Sequence, residues 1–90
     1  MGQPAEDAGF IIASKHRTAV ALRLDASPAI PKAIKTDTDR PYSRVSDALE
    51  QLREEGLVEL LVPEERSKGR LYGLTDRGDE AVQYMRDTNM

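Results

Sequence analysis

The sequence predicts a mainly α domain of the α+β class, with one β-hairpin among the helices in the order α-α-α-β-β-α. Three observations carry this expectation. Val45, Leu49 and Leu52 recur at i, i+4 and i+7, the apolar stripe of an amphipathic helix, and Gly56 follows to end it. Two β-rich apolar runs, residues 57–62 and 71–74, flank a polar, glycine-containing segment, which is a hairpin pattern. Thr75 then precedes an acid-rich stretch with apolar anchors at Val82 and Met85, as in a helix with a hydroxyl cap and acids near its positive end.

The elements follow in order. Residues 1–9 are polar, contain Pro4 and Gly9 and show no periodicity, so they read as a mobile tail, with the folded domain over residues 10–90. Phe10, Ile11 and Ile12 open the ordered part. Ser14 is placed to cap a helix that runs to about Leu24 and buries Ala19, Val20 and Leu24. Residues 26–29 are a connector. A second, short helix starts at Pro31, where the missing N–H costs nothing, and runs to Thr36. Starting it at Pro28 would put Pro31 where its N–H is needed. Residues 37–39 form a polar turn, and the third helix covers about residues 41–55 with Ala48 bordering its stripe. In the last helix Gly78 costs about 1 kcal/mol relative to alanine, which points to a close approach to the hairpin.

Ninety residues make one domain and leave no volume for a deep catalytic cleft. There is no cysteine, and no apolar run approaches the roughly 18 residues of a membrane span. The first seven residues lack the basic region of a signal peptide, so the expected location is cytoplasmic. Carboxylates are plentiful but form no recognisable acid–base pair or metal-ligand set. His16, the only histidine, reads as a surface or capping residue. No enzyme activity, cofactor, metal or membrane partner is expected. The net charge of −3 is unevenly spread. Residues 14–44 hold seven Lys and Arg against three acids, a net +4, while residues 45–90 hold six against eleven, a net −5. A basic segment on an acidic chassis can still bind nucleic acid through a local patch. Four Lys and nine Arg against sixteen acids hint at a high-salt cytoplasm.

Two patterns point to a family. Residues 45–58 read V-S-x-A-L-x-x-L-x-x-x-G-L-V, and residues 69–78 read G-x-x-Y-x-L-T-x-x-G. Together with Ala33, Ile34 and the turn before Tyr42, they resemble the winged helix-turn-helix of transcriptional regulators. They are most similar to small MarR-like and phage-repressor-like proteins of halophilic archaea. The resemblance covers roughly residues 10–86. It departs in the turn, where relatives carry Gly and an apolar residue and this chain has Asp39 and Arg40, and at Ile30, where a Ser or Thr cap is common.

The resemblance implies that the third helix enters the major groove of duplex DNA. With Val45, Leu49 and Leu52 facing inward, Ser43, Asp47 and Glu50 point outward, flanked by Arg44 and Ser46. Tyr42, Ser43, Arg44, Ser46 and Asp47 are then the candidates for base edges. Arg44 suits a bidentate contact to guanine or is a solvated surface arginine. Asp47 accepts from cytosine or repels phosphate. Lys32, Lys35 and Arg40 suit adjacent phosphates, and Arg66, Lys68 and Arg70 of the hairpin suit the backbone or minor groove, unless the hairpin is merely solvated. The expected function is a sequence-specific regulator of transcription, a repressor, acting as a homodimer through residues 10–14 and the last helix, with Ala81 and Tyr84 facing the partner. The alternative is a winged-helix module for protein–protein contact without DNA.

Overall fold

A computed structural model describes residues 3–63, 65 and 69–88. The elements are α1 (Pro4–Ile12), α2 (Lys15–Ala26), α3 (Pro31–Thr38), α4 (Tyr42–Glu54), β1 (Val58–Leu60), β2 (Tyr72–Leu74) and α5 (Asp76–Thr88). The expected α-α-α-β-β-α order is present from α2 to α5, with one helix added in front. Among the described residues, no helix is long and apolar enough to cross a membrane.

The added helix corrects the expected tail over residues 4–9. Pro4 stands at the start of α1, where no N–H is required, and Glu6 and Asp7 occupy the first turn, near the positive end of the helix dipole. Ala8 and Ile11 are buried, whereas Ile12 is 59% exposed. An ion pair anchors the helix to α5: Arg77 donates from Nη2 to Asp7 Oδ1 at 2.8 Å and from Nε to Oδ2 at 3.1 Å. This two-pronged geometry fixes orientation as well as distance. Its hydrogen bonds to the Asp7 carboxylate hold Arg77 above its ordinary pKa.

Ser14 caps α2 as expected, accepting the Arg17 N–H at 3.2 Å. Helix α3 starts at Pro31 but runs past the expected end at Thr36 to Thr38. The Thr38 hydroxyl donates to the Ile34 carbonyl at 2.6 Å, and Asp39 ends the helix in the left-handed conformation, φ 54° and ψ 46°. Aspartate is among the few non-glycine residues that tolerate that region. In α4 the stripe of Val45, Ala48, Leu49 and Leu52 is buried, and Gly56 follows with a φ of 81°.

The strands pair antiparallel with Val58 opposite Leu74, Glu59 opposite Gly73 and Leu60 opposite Tyr72. Each is shorter than the apolar run that predicts it. The expected connector adds a third edge. Ala29 donates to the Tyr72 carbonyl at 3.0 Å and accepts the Tyr72 N–H at 2.9 Å.

The hairpin and α5 meet in a tight junction. Thr75 donates its N–H to the Leu57 carbonyl at 3.1 Å and its hydroxyl to the Gly56 carbonyl at 2.7 Å, and it accepts the Gly78 N–H at 3.1 Å, as an N-cap does. A Cβ at Gly78 would collide with the Leu57 carbonyl oxygen, which is the close approach its presence in a helix suggests. Val82 and Met85 pack into the core as expected. Ala81 does not face outward: it lies on the same helical face and is fully buried within the chain.

Gly78→Ala sets two effects against each other. Helix propensity favours alanine by about 1 kcal/mol. Overpacking against backbone that cannot swing aside costs about 3 kcal/mol. The expected net loss is about 2 kcal/mol in urea denaturation. A variant as stable as the parent would show that the junction yields easily.

Candidate nucleic-acid interface

Three sides of α4 are set by its buried stripe. At about 100° per residue, the burial of Val45 and Leu52 divides the remaining residues among a flank toward the hairpin, an outer crest and a flank toward α2.

On the hairpin flank, Tyr42, Ser46 and Arg53 line an open cleft of about 600 Å³. Lys32 and Pro31 of α3, together with Gly69, Arg70 and Tyr72, close its other side. The structure thus brings four expected site residues, Tyr42, Ser46, Lys32 and Arg70, to one concavity. Arg66 and Lys68 lie outside the described residues. Lys35 is exposed on α3 but does not line the cleft. Arg53 joins the cleft unexpectedly. Its signal was its spacing, seven residues and two turns beyond Ser46.

The outer crest consists of Ser43, Asp47, Glu50 and Glu54, all exposed. Apart from one serine it is acidic, and the cations of α4, Arg44 and Arg53, stand on its two flanks.

The flank toward α2 is held by specific contacts. Gln51 accepts from Arg17 Nη1 at 2.9 Å. Arg17 Nε donates to the Phe10 carbonyl at 2.8 Å, and the guanidinium sits 4.1 Å over the Phe10 ring. One arginine therefore joins the end of α1, α2 and α4. Nearby, Arg40 Nη1 lies 3.0 Å from His16 Nδ1. Arg40, expected on a phosphate, is half-buried and drawn onto α2. His16 is half-buried beside it rather than free on the surface. Burial, then the positive charges of Arg40, Arg44 and Lys15, hold the imidazole below its ordinary pKa.

No family model and no curated protein matches the chain. Solved structures do. ZitR of Lactococcus lactis, in a mutant form, superposes with a TM-score of 0.72 at 17% identity over 84% of this chain. The chain is a winged helix-turn-helix domain. In that fold α3 and α4 are the helix-turn-helix, and β1 and β2 belong to the wing. A MarR family regulator from Neisseria meningitidis gives a TM-score of 0.66 at 25% identity over 84% of this chain. A possible ArsR-family transcriptional regulator from Mycobacterium bovis, solved as a homodimeric winged helix-turn-helix DNA-binding domain, gives 0.68 at 22% identity. That winged helix covers 96% of this chain and 81% of its own. By contrast, this chain spans 53% of the ZitR chain and 59% of the Neisseria one.

Proposed function

We propose that this winged helix binds duplex DNA sequence-specifically as a homodimer and regulates transcription, as a MarR-like repressor. The observation that carries the reading is the concave face. The exposed N-terminal half of α4 stands between cationic flanks, and the wing base brings Arg70 opposite Lys32. A protruding helix with cations on either side matches a major groove edged by phosphates. Tyr42, Ser43, Ser46 and Asp47 then face base edges, and Lys32, Lys35 and Arg70 take phosphates. Arg44, a guanine reader on sequence grounds, is better assigned to the backbone, because it shares its flank with Lys15 and Arg40. Repression needs only occupancy of the duplex, which excludes polymerase.

The partner surface is proposed at α1 and α5. Ile12 is 59% and Tyr84 40% exposed, large apolar side chains on the two elements that pack together. A shallow groove of about 550 Å³ is lined by Ile12, Leu22 and Met85, with Thr18, Arg86 and Thr88. The Mycobacterium bovis domain is homodimeric, which supports the pairing of two copies. Two copies double a half-site that is small for useful specificity.

The acidic crest favours a second reading, a protein-interaction module. Salt dependence separates the two. A chain neutralising about 4 phosphates gives a log–log slope of affinity against salt near −3.6. A flat response, or no duplex binding at low salt, would leave the interaction module. Among duplexes, Asp47→Ala is expected to shrink the penalty of about 1–3 kcal/mol for changing the base pair it reads. Lys32→Ala and Arg70→Ala should weaken all sequences alike. Equal, sequence-blind losses from all three would remove Asp47 from readout. For the dimer, Ile12→Glu places a charge on a side chain that one chain leaves exposed, so the fold should persist. Light scattering is expected to give the mass of two chains for the parent and one for the variant. An unchanged mass would refute the interface.

A further inference from the structure

The contact between His16 and Arg40 is chemically specific. A guanidinium only donates, so His16 Nδ1 accepts, and the ring is neutral with its proton on Nε2. The charges that shift this ring are all positive: Lys15 on its own helix, Arg40 in the turn after α3 and Arg44 on α4. The other elements packed on α2 add none among the described residues, and Asp39, next to Arg40, is exposed and does not act on the ring. Arg40 Nε is buried and has no hydrogen-bond partner among the described residues. Lys15 and Arg44 are exposed. Among the described residues, the charges that act on this imidazole are thus three cations, on the α2 flank of the helix proposed to face the groove.

We propose that Lys15, His16, Arg40 and Arg44 form a clamp for a backbone phosphate of duplex DNA, and that closing it takes up one proton on His16. The proposal rests on the duplex-binding reading above and specifies how that site responds to pH. A phosphodiester carries one negative charge. Placed among the three cations, it offsets the repulsion that they add to the effect of burial on the imidazole. The ring then takes a proton from solvent onto Nδ1. An imidazolium has no lone pair to offer, so the bond from Arg40 breaks. The Arg40 guanidinium and the ring N–H groups turn to the phosphate oxygens, each bond now charge-assisted. One proton enters per phosphate bound and no covalent bond changes.

The sign follows from linkage. His16 binds more protons in the complex than in the free protein, so affinity rises as pH falls through the interval between the two pKa values. The limit is about tenfold per pH unit for one coupled proton per chain. His16 is the only histidine of the chain, so its ring C–H resonances report its titration directly.

The experiment is an NMR titration of the full chain, free and saturated with a duplex. It is paired with duplex affinity at constant ionic strength from about pH 5.5 to 8. His16→Asn serves as the variant, since its amide oxygen can accept from Arg40 in place of Nδ1 but cannot titrate. The expected result is a His16 titration shifted upward by about one unit or more on the duplex. Parent affinity should rise about tenfold more than that of His16→Asn as the pH falls across the interval. Duplex binding with an unshifted histidine, or with the same pH dependence in the variant, would overturn the clamp and leave the DNA reading standing. Absence of duplex binding at every pH would overturn both.

Discussion

The fold hangs on the approach of α5 to the backbone that leaves α4. Gly78 lets the helix lie against the Leu57 carbonyl, where any larger residue collides, and Thr75 ties the same spot with bonds to Gly56 and Leu57. Two consequences spread from there. The first strand begins at Val58 and the second ends at Leu74, so the junction fixes both ends of the hairpin and hence its stance beside α4. One residue before Gly78, Arg77 reaches Asp7 and sets α1 in place. The Phe10 carbonyl of α1 then receives Arg17, which in turn holds Gln51 on α4. Hairpin, α1 and α4 are oriented by a short series of directional bonds that starts where no side chain fits.

Much of this was legible because it rests on local rules. Ser14, Pro31, Gly56 and Thr75 mark helix boundaries by the backbone groups they satisfy or forgo, and all four stand where those rules put them. The stripe of α4 is legible because a 3.6-residue period needs no knowledge of the partner it packs on. The first helix was not. It has no side-chain cap, it holds a glycine, and one of its buried residues is an aspartate, so the apolar pattern is short by one. The signal that remained was Pro4 followed by two acids in the first turn. Ala81 went astray for a related reason. Alanine carries too little apolar weight to show which face it occupies, and only the positions of Gly78, Val82 and Met85 reveal it.

The concave face was half legible. Residues of one helix can be assigned to sides by angle alone, which gives the crest of Ser43, Asp47 and Glu50. Pairings between elements far apart in sequence have no such rule. The meeting of Arg40 with His16, twenty-four residues apart, and of Arg53 with the wing base depends on how the helices cross. Length and freedom also matter. Long cationic side chains settle wherever the surrounding charge and packing take them, so sequence shows that a region is basic before it shows what each cation does.

The acidic crest has a kinetic side. For a helix seated in a groove, carboxylates with no amino group to accept from remain unsolvated among phosphates, a loss that recurs at each register that does not suit them. On the proposed duplex reading, the flanking cations would still draw the protein to any duplex, because that attraction is blind to sequence. On that reading encounter would be fast and dwell at unsuitable registers brief, the combination that lets a DNA-binding protein sample many positions before it stops at one.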